Sequence, residues 1–217
     1  MPVRPEQSSV QDGSLLLELA MKKCLRSMIV LTMVLLAPLV AIAHADAGDT
    51  TGGFLAGFFH PLLGWDHVVA MVAVGLWGAF LGAPAIWFLP VVFPLVMSIG
   101  GVLGVAGVPI PGVETGIALS AIVLGGMVAA AARPPLWVAA VLVGMFAIFH
   151  GHAHGTELPA AANPLLFSLG FVMATGLLHV CGIAFGLLTR WPAGRVAVRT
   201  VGGSITLVGL AFLLGLL

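Results

Sequence analysis

The sequence predicts an all-α fold, a polytopic transmembrane helical bundle of about six spans that follows a cleaved signal peptide. Of the 217 residues, 60% are hydrophobic and only 7% are charged, and the mean hydropathy is +1.18. Soluble domains carry roughly 25% charged residues, so this chain cannot cover a water-soluble surface. Its 8 basic and 8 acidic residues balance, which leaves no basic face for a nucleic acid. The lipid bilayer is therefore the expected partner of the chain.

A secretory signal begins at Met21. Its charged residues are Lys22, Lys23 and Arg26, and an apolar run at residues 28–40 precedes two small-residue cleavage patterns, at residues 41–43 and 43–45. We predict an upstream extension at residues 1–20, the signal peptide at residues 21–45 and a six-helix transmembrane domain at residues 46–217. An uncleaved first helix is the alternative, although residues 28–43 fall short of the ~20 residues of an ordinary span.

Six apolar stretches follow, separated by Pro/Gly or charged breaks, and each can cross a ~30 Å hydrocarbon core as a helix. The predicted spans are Phe54–Leu81, Ala85–Gly107, Val113–Ala132, Pro135–Phe149, Pro164–Leu188 and Val201–Leu217. If the mature amino terminus is exported, the short loops at residues 133–134 and 189–200 are cytoplasmic and hold four arginines, whereas the exported loops hold no Lys or Arg. This asymmetry follows the positive-inside rule. It predicts a bacterial inner-membrane protein with a periplasmic mature amino terminus.

Glycine and proline patterns predict how these helices pack. Three glycine pairs have small-xxx-small spacing, which lets helix backbones approach closely in lipid: Gly78/Gly82, Gly100/Gly104 and Gly182/Gly186. Pro90 and Pro94 could kink the second span and release backbone carbonyls. Cys24 and Cys181 have no ligand spacing, so neither a disulfide framework nor a thiolate zinc site is expected.

The first predicted span contains His60, Asp66 and His67. An aspartate at the centre of a span costs about 2.5–3.5 kcal/mol, so Asp66 must face protein, water or a cation. If residues 54–81 form one helix, His60 and His67 share a face and Asp66 points elsewhere. Imidazole suits Ni²⁺, Co²⁺, Cu²⁺ and Zn²⁺, and a carboxylate can orient the ring or ligate directly. Three polar side chains that cost free energy inside a span therefore lie within eight residues, and this clustering predicts a metal site.

A second group, His150, His152, His154 and Glu157, follows the fourth span. Two arrangements stay open. A continuous helix would align His150, His154 and Glu157 on one face, whereas Gly151 and Gly155 could make the segment a flexible exported loop that captures ions. His179, alone in the fifth span, is either a further ligand or a helix–helix hydrogen-bonding residue.

Two segments resemble the signatures of the HupE/UreJ family of nickel or cobalt permeases. They are HPLLGWDHVVAM at residues 60–71, followed by VGLW at residues 74–77, and HGHAHGTE at residues 150–157. The resemblance implies secondary uptake of Ni²⁺ or Co²⁺, serving nickel enzymes or cobalamin synthesis. By motif match it assigns the transport residues to His60, Asp66 and His67, and a second group to His150, His152, His154 and Glu157.

We therefore predict uptake of Ni²⁺ or Co²⁺ through a His/Asp-lined path, in which the exported His/Glu loop collects the ion and the first-span cluster binds it. The ion is the substrate, and neither a permanently bound cofactor nor an enzymatic activity is expected. No ATP-binding G-x-x-x-x-G-K-[ST] pattern occurs. The alternative is a metal-dependent intramembrane hydrolase with a His/Asp-bound zinc, although no H-E-x-x-H occurs. A haem-binding electron carrier is a weaker option, and a homo-oligomer stays open.

Overall fold

A computed structural model describes residues 50–158 and 163–217. Over these residues the chain is entirely helical, which confirms the predicted fold class, while the extension and the signal peptide lie outside them. The helices are α1 Thr50–Leu63, α2 Trp65–Leu81, α3 Ala85–Val105, α4 Val113–Ala129, α5 Leu136–Thr156, α6 Pro164–Gly186, a 3-10 turn Leu187–Arg190, and α7 Pro192–Leu213.

The lengths of the helices support a multi-pass membrane protein. Helices α3, α5 and α7, and α6 together with its 3-10 turn, are long and apolar enough to cross a bilayer. The pair α1–α2 is a fifth candidate but is bent by 81°, and α4 is apolar with only 17 residues. The last helix begins at Pro192 rather than at Val201, because a proline suits a helix's first turn.

The first predicted span differs from the expectation, because it is two helices that break at Gly64. This glycine is extended, with φ −88° and ψ 108°. Its carbonyl accepts hydrogen bonds from the backbone N–H groups of His67 and Val68, at 3.1 and 2.9 Å, and so starts α2. The prediction of one continuous helix at residues 54–81 was therefore wrong. The consequence is that His60 and His67 lie on helices of different direction.

Glycines let the helix backbones pack in contact, as two of the three glycine pairs predict. A Cβ at Gly100 would overlap the Ile148 carbonyl, and one at Gly104 the His152 carbonyl, so α3 lies directly against α5. Gly182 of α6 meets the Val72 carbonyl of α2 in the same way. Gly82 has another role, since it ends α2 with φ +83° and nothing lies near it.

The two ends of the bundle differ in charge. One end holds the 3-10 turn with Arg190, and Arg133, whose guanidinium lies 4.9 Å from the Phe80 ring centroid. At the same end the Arg199 Nε donates to the Ala129 carbonyl at 2.8 Å. The break at Gly64 and the end of α5 lie at the opposite end, to which the histidine groups belong. We call these the arginine end and the histidine end.

Candidate metal site

Histidines are unusually buried in the described part of the chain. Five histidine side chains are at most 8% exposed: His67, His150, His152, His154 and His179. Both ring nitrogens of His67, His154 and His179 are buried without a well-aligned hydrogen-bond partner, as is Nδ1 of His150 and of His152. An unpaired buried polar group costs about 1–3 kcal/mol, and native proteins keep few of them. A shared cause is therefore needed, and a bound cation that accepts the nitrogen lone pairs would provide one.

Three of these rings meet in a buried cluster, the inner triad of His67, His150 and His154. His67 comes from the first turn of α2, and the other two lie one turn apart on α5. The His67 ring centroid is 4.2 Å from that of His154 and 5.1 Å from that of His150. One nitrogen from each ring lies within 4.8 Å of the other two. This separation leaves room for one ion bound by all three.

A second set, the outer group of His60, His154 and Glu157, lies at the mouth of the triad. Its ligand atoms also lie within 4.8 Å of one another. The His60 Nε2 and Glu157 Oε2 atoms are 3.2 Å apart, and the His60 and His154 rings are 4.9 Å apart. Glu157 is 54% exposed, whereas His154 is buried. His154 belongs to both sets, so the two sites are continuous.

The break at Gly64 makes this arrangement available. In a straight helix His60 and His67 would be about 10.5 Å apart along the axis. The bend turns both rings onto His154 instead. Gly64 also leaves space for the site, because a Cβ there would lie 2.9 Å from Asp66 Oδ1 and 3.4 Å from His67 Nδ1.

Two neighbours orient the triad rings. The Asp66 Oδ1 atom lies 2.8 Å from Nδ1 of His67, near enough for an ion pair but not aligned as a hydrogen bond. The carboxylate accepts only, so it favours a proton on Nδ1 and leaves Nε2 with the lone pair. Asp66 therefore lies beside His67, where its carboxylate can orient the ring, rather than away from the site.

Ser120 fixes His150. The Ser120 hydroxyl lies 2.6 Å from the Ile117 carbonyl, which can only accept, so the hydroxyl proton is used there. Its oxygen is 2.9 Å from Nε2 of His150 and accepts from that N–H. The lone pair of His150 is then on Nδ1, which has no other partner. This assignment follows from the hydrogen-bond network. A serine in an apolar span carries little sequence signal, so sequence reasoning missed Ser120.

The other two candidate histidines lie apart from the triad. His152 points to the opposite side of α5, where its Nε2 donates to the Val108 carbonyl at 2.7 Å and ties the α3–α4 loop to α5. His179 lies on α6, and the Phe93 ring separates it from His150, with centroids 5.4 Å from His179 and 5.6 Å from His150.

The loop interpretation of residues 150–157 was wrong. Helix α5 continues through Thr156, so residues 150–154 are buried helix rather than an exported loop. Gly151 and Gly155 are packing residues, because a Cβ at either would overlap a carbonyl of α3, that of Met97 or of Gly101. Only Glu157 follows the helix and is exposed. The helical alternative, with His150, His154 and Glu157 on one face, is the observed one.

The fold and this cluster define a multi-pass helical membrane protein with a buried, histidine-rich group suited to a metal ion. Comparison with known proteins identifies the family. Residues 31–212 match the family described as HupE / UreJ protein. The chain is also 48% identical to Protein HupE of Rhizobium leguminosarum bv. viciae over 189 residues, 87% of this chain and 98% of that protein. The chain belongs to the HupE/UreJ family, and the resemblance of the motifs is confirmed. No solved structure matches it.

Proposed function

We propose that this protein transports Ni²⁺ or Co²⁺ across the bacterial inner membrane as a secondary transporter. Its family is of a transporter type rather than an enzyme family. The observation that supports the proposal best is the inner triad, in which three buried imidazoles from two helices meet with unpartnered nitrogens. A purely structural role would leave both nitrogens of His67 and His154, and Nδ1 of His150, without well-aligned hydrogen-bond partners.

The shared ring of His154 suggests how an ion enters. Glu157 is exposed and anionic, so it attracts a divalent cation at the mouth. The ion first binds His60, His154 and Glu157, and then exchanges the outer ligands for His67 and His150 while it stays on His154. Each step replaces only part of the ligand set, so the ion is never left without ligands in a low-dielectric interior.

The ligand set favours borderline divalent ions. Imidazole binds nickel, cobalt, copper and zinc, whereas thiolates select copper(I) and zinc. Cys181, the one cysteine in the described residues, is exposed on the outside of the bundle. The sequence has no nucleotide-binding pattern, so the energy for transport would come from an ion gradient, the metal gradient itself or a partner protein.

The charge asymmetry supports inward movement from the periplasm. The positive-inside rule assigns the arginine end to the cytoplasm. The histidine end then faces the periplasm, so that His60 and Glu157 meet incoming ions first. Under this orientation the ion moves from the outer group to the inner triad as it enters the membrane.

The test is uptake of radioactive Ni²⁺ and Co²⁺ into liposomes that contain the purified protein. We expect His67→Ala, His154→Ala and Asp66→Asn to abolish uptake at unchanged protein level. The matched control is His152→Gln, because His152 lies on the same helix but points elsewhere and donates to the Val108 carbonyl, and a glutamine amide also provides an N–H donor. Normal uptake by the triad variants, or no uptake by the wild type, would contradict the proposal.

A further inference from the structure

His179 is the buried histidine that the inner triad leaves unexplained. It is 1% exposed, and neither ring nitrogen has a well-aligned hydrogen-bond partner within the described residues. Within the described residues the Pro90 carbonyl of α3 lies near the ring, but not in the alignment of the helix–helix hydrogen bond that commonly explains a lone intramembrane histidine. Because His179 lies in the sixteenth position of the 23-residue α6, it is deeper in the bundle than the outer group.

Thr175 lies one turn before His179 on the same face of α6. Its side chain is 0% exposed and its hydroxyl has no partner. Several hydroxyls in the helices of this protein bond to a carbonyl three or four residues earlier, as Ser120 does to Ile117 at 2.6 Å and Ser98 to Pro94 at 2.8 Å. Thr175 departs from this pattern, so its oxygen is free to bind something else.

A backbone carbonyl of α3 completes the group. Pro94 lies inside α3 and has no N–H, so the carbonyl of Pro90, four residues earlier, loses its helical donor. That carbonyl lies beside the ring of His179. Pro94 therefore releases an acceptor beside the imidazole of α6, one helical turn from the Thr175 hydroxyl.

The α6 face connects this group to the inner triad. Phe171, one turn before Thr175, contacts His154 with ring centroids 4.2 Å apart. From Phe171 to His179 is eight residues, or about 12 Å along the helix. The Phe93 ring lies between His150 and His179. The polar group at His179 therefore lies between the inner triad and the arginine end, and the Phe93 ring separates it from the triad.

We propose that His179, with the Thr175 hydroxyl and the Pro90 carbonyl, forms a second ion-binding position that receives Ni²⁺ or Co²⁺ from the inner triad. This second position rests on the proposed transport function and adds a further binding site to it. One imidazole and two neutral oxygens bind a divalent ion more weakly than three imidazoles do. Weak binding suits an exit position, from which the ion must leave.

The experiment combines Co²⁺ binding, read from the visible absorption of the purified protein, with Co²⁺ uptake into liposomes. In His179→Leu the volume is kept and the ligand is lost. We expect Co²⁺ affinity within about threefold of the wild type, since separate sites are nearly independent, and uptake reduced at least about tenfold, as for other losses of metal-site groups. His179→Cys, made in a Cys181→Ser background, restores a ligand and should recover uptake, with a shift of preference towards Cd²⁺. The matched cysteine control is Val180→Cys in the same background, on the exposed side of α6.

The outcomes separate the two proposals. If His179→Leu transports Co²⁺ like the wild type, the second position is refuted and the transport function stands. If it loses binding and uptake together, His179 supports the triad rather than forming a position of its own, and the inference fails. If the wild type neither binds nor transports Co²⁺, the transport function fails and this inference with it.

Discussion

Replacing Ser120 with alanine should weaken metal binding while the fold is unchanged. In the wild type the Ser120 oxygen accepts from Nε2–H of His150, which keeps the lone pair on Nδ1. In Ser120→Ala the metal-free protein can move that proton to Nδ1. Binding an ion through Nδ1 then forces the proton back onto a buried nitrogen with no acceptor. The cost therefore falls on the bound state.

The size of the effect follows from this cost. A buried unsatisfied donor costs about 1–3 kcal/mol, and 1.4 kcal/mol is tenfold in affinity, so the loss should be roughly 5- to 150-fold. This range agrees with the usual effect of losing a residue that orients a metal-binding histidine, which lowers metal affinity about 10–100-fold. Alanine is a good helix former, so α4 should remain intact.

The assay is Co²⁺ titration of purified Ser120→Ala, followed by visible absorption. The control is Ser98→Ala, an exposed serine of α3 that also bonds to a carbonyl one turn earlier, and this variant should bind Co²⁺ normally. Both proteins should unfold near the wild-type temperature. Wild-type affinity in a well-folded Ser120→Ala would refute the assignment of the His150 proton, and with it the orientation of the triad.

Three further predictions follow from the packing and chemistry of the site. Gly151→Ala should destabilise the protein by about 1–3 kcal/mol, seen as a lower unfolding temperature, because its Cβ overlaps the Met97 carbonyl, whereas Gly176→Ala, with open space around it, should be neutral. Gly64→Ala should reduce uptake at normal stability, since its Cβ would press on the Asp66 carboxylate, and normal uptake would mean that this space is not needed. Co²⁺ affinity should fall as the pH is lowered, because protons compete for the imidazole lone pairs, and an affinity that stays unchanged until the protein unfolds would argue against imidazole ligands.

Hydropathy and small-residue spacing predicted most of the fold. The apolar stretches became helices because a bilayer requires every backbone group to be paired within its own segment. Gly100 and Gly104 packed as expected. The break at Gly64 escaped prediction, since hydropathy is continuous through residues 54–81 and one glycine inside a span is common. Gly64 differs from other glycines of the spans in its extended backbone conformation, which depends on tertiary packing and is not visible in the sequence.

The candidate site was predicted by residue type but not by arrangement. The spacing of His150 and His154 is compatible with a helix that places both rings on one face, but Gly151 and Gly155 are equally compatible with a loop. Burial decided between the two, because those glycines face α3 and the two histidines face α2. Whether residues 150–157 form a helix or a loop depends on which helices are neighbours, and a single sequence does not show this. For the same reason the sequence could not show that His152 lies apart from the triad and contacts the Val108 carbonyl.

X-ray absorption at the nickel edge of the Ni²⁺-loaded protein tests the central claim most directly, because it reports the ligands themselves. We expect nitrogen and oxygen ligands with the multiple-scattering pattern of several imidazoles, and no sulfur. His154→Ala should reduce the imidazole signal, while His152→Gln should leave the spectrum unchanged. A sulfur ligand, an imidazole-free oxygen shell, or a spectrum unaffected by the loss of His154 would contradict a metal path built on the buried histidines.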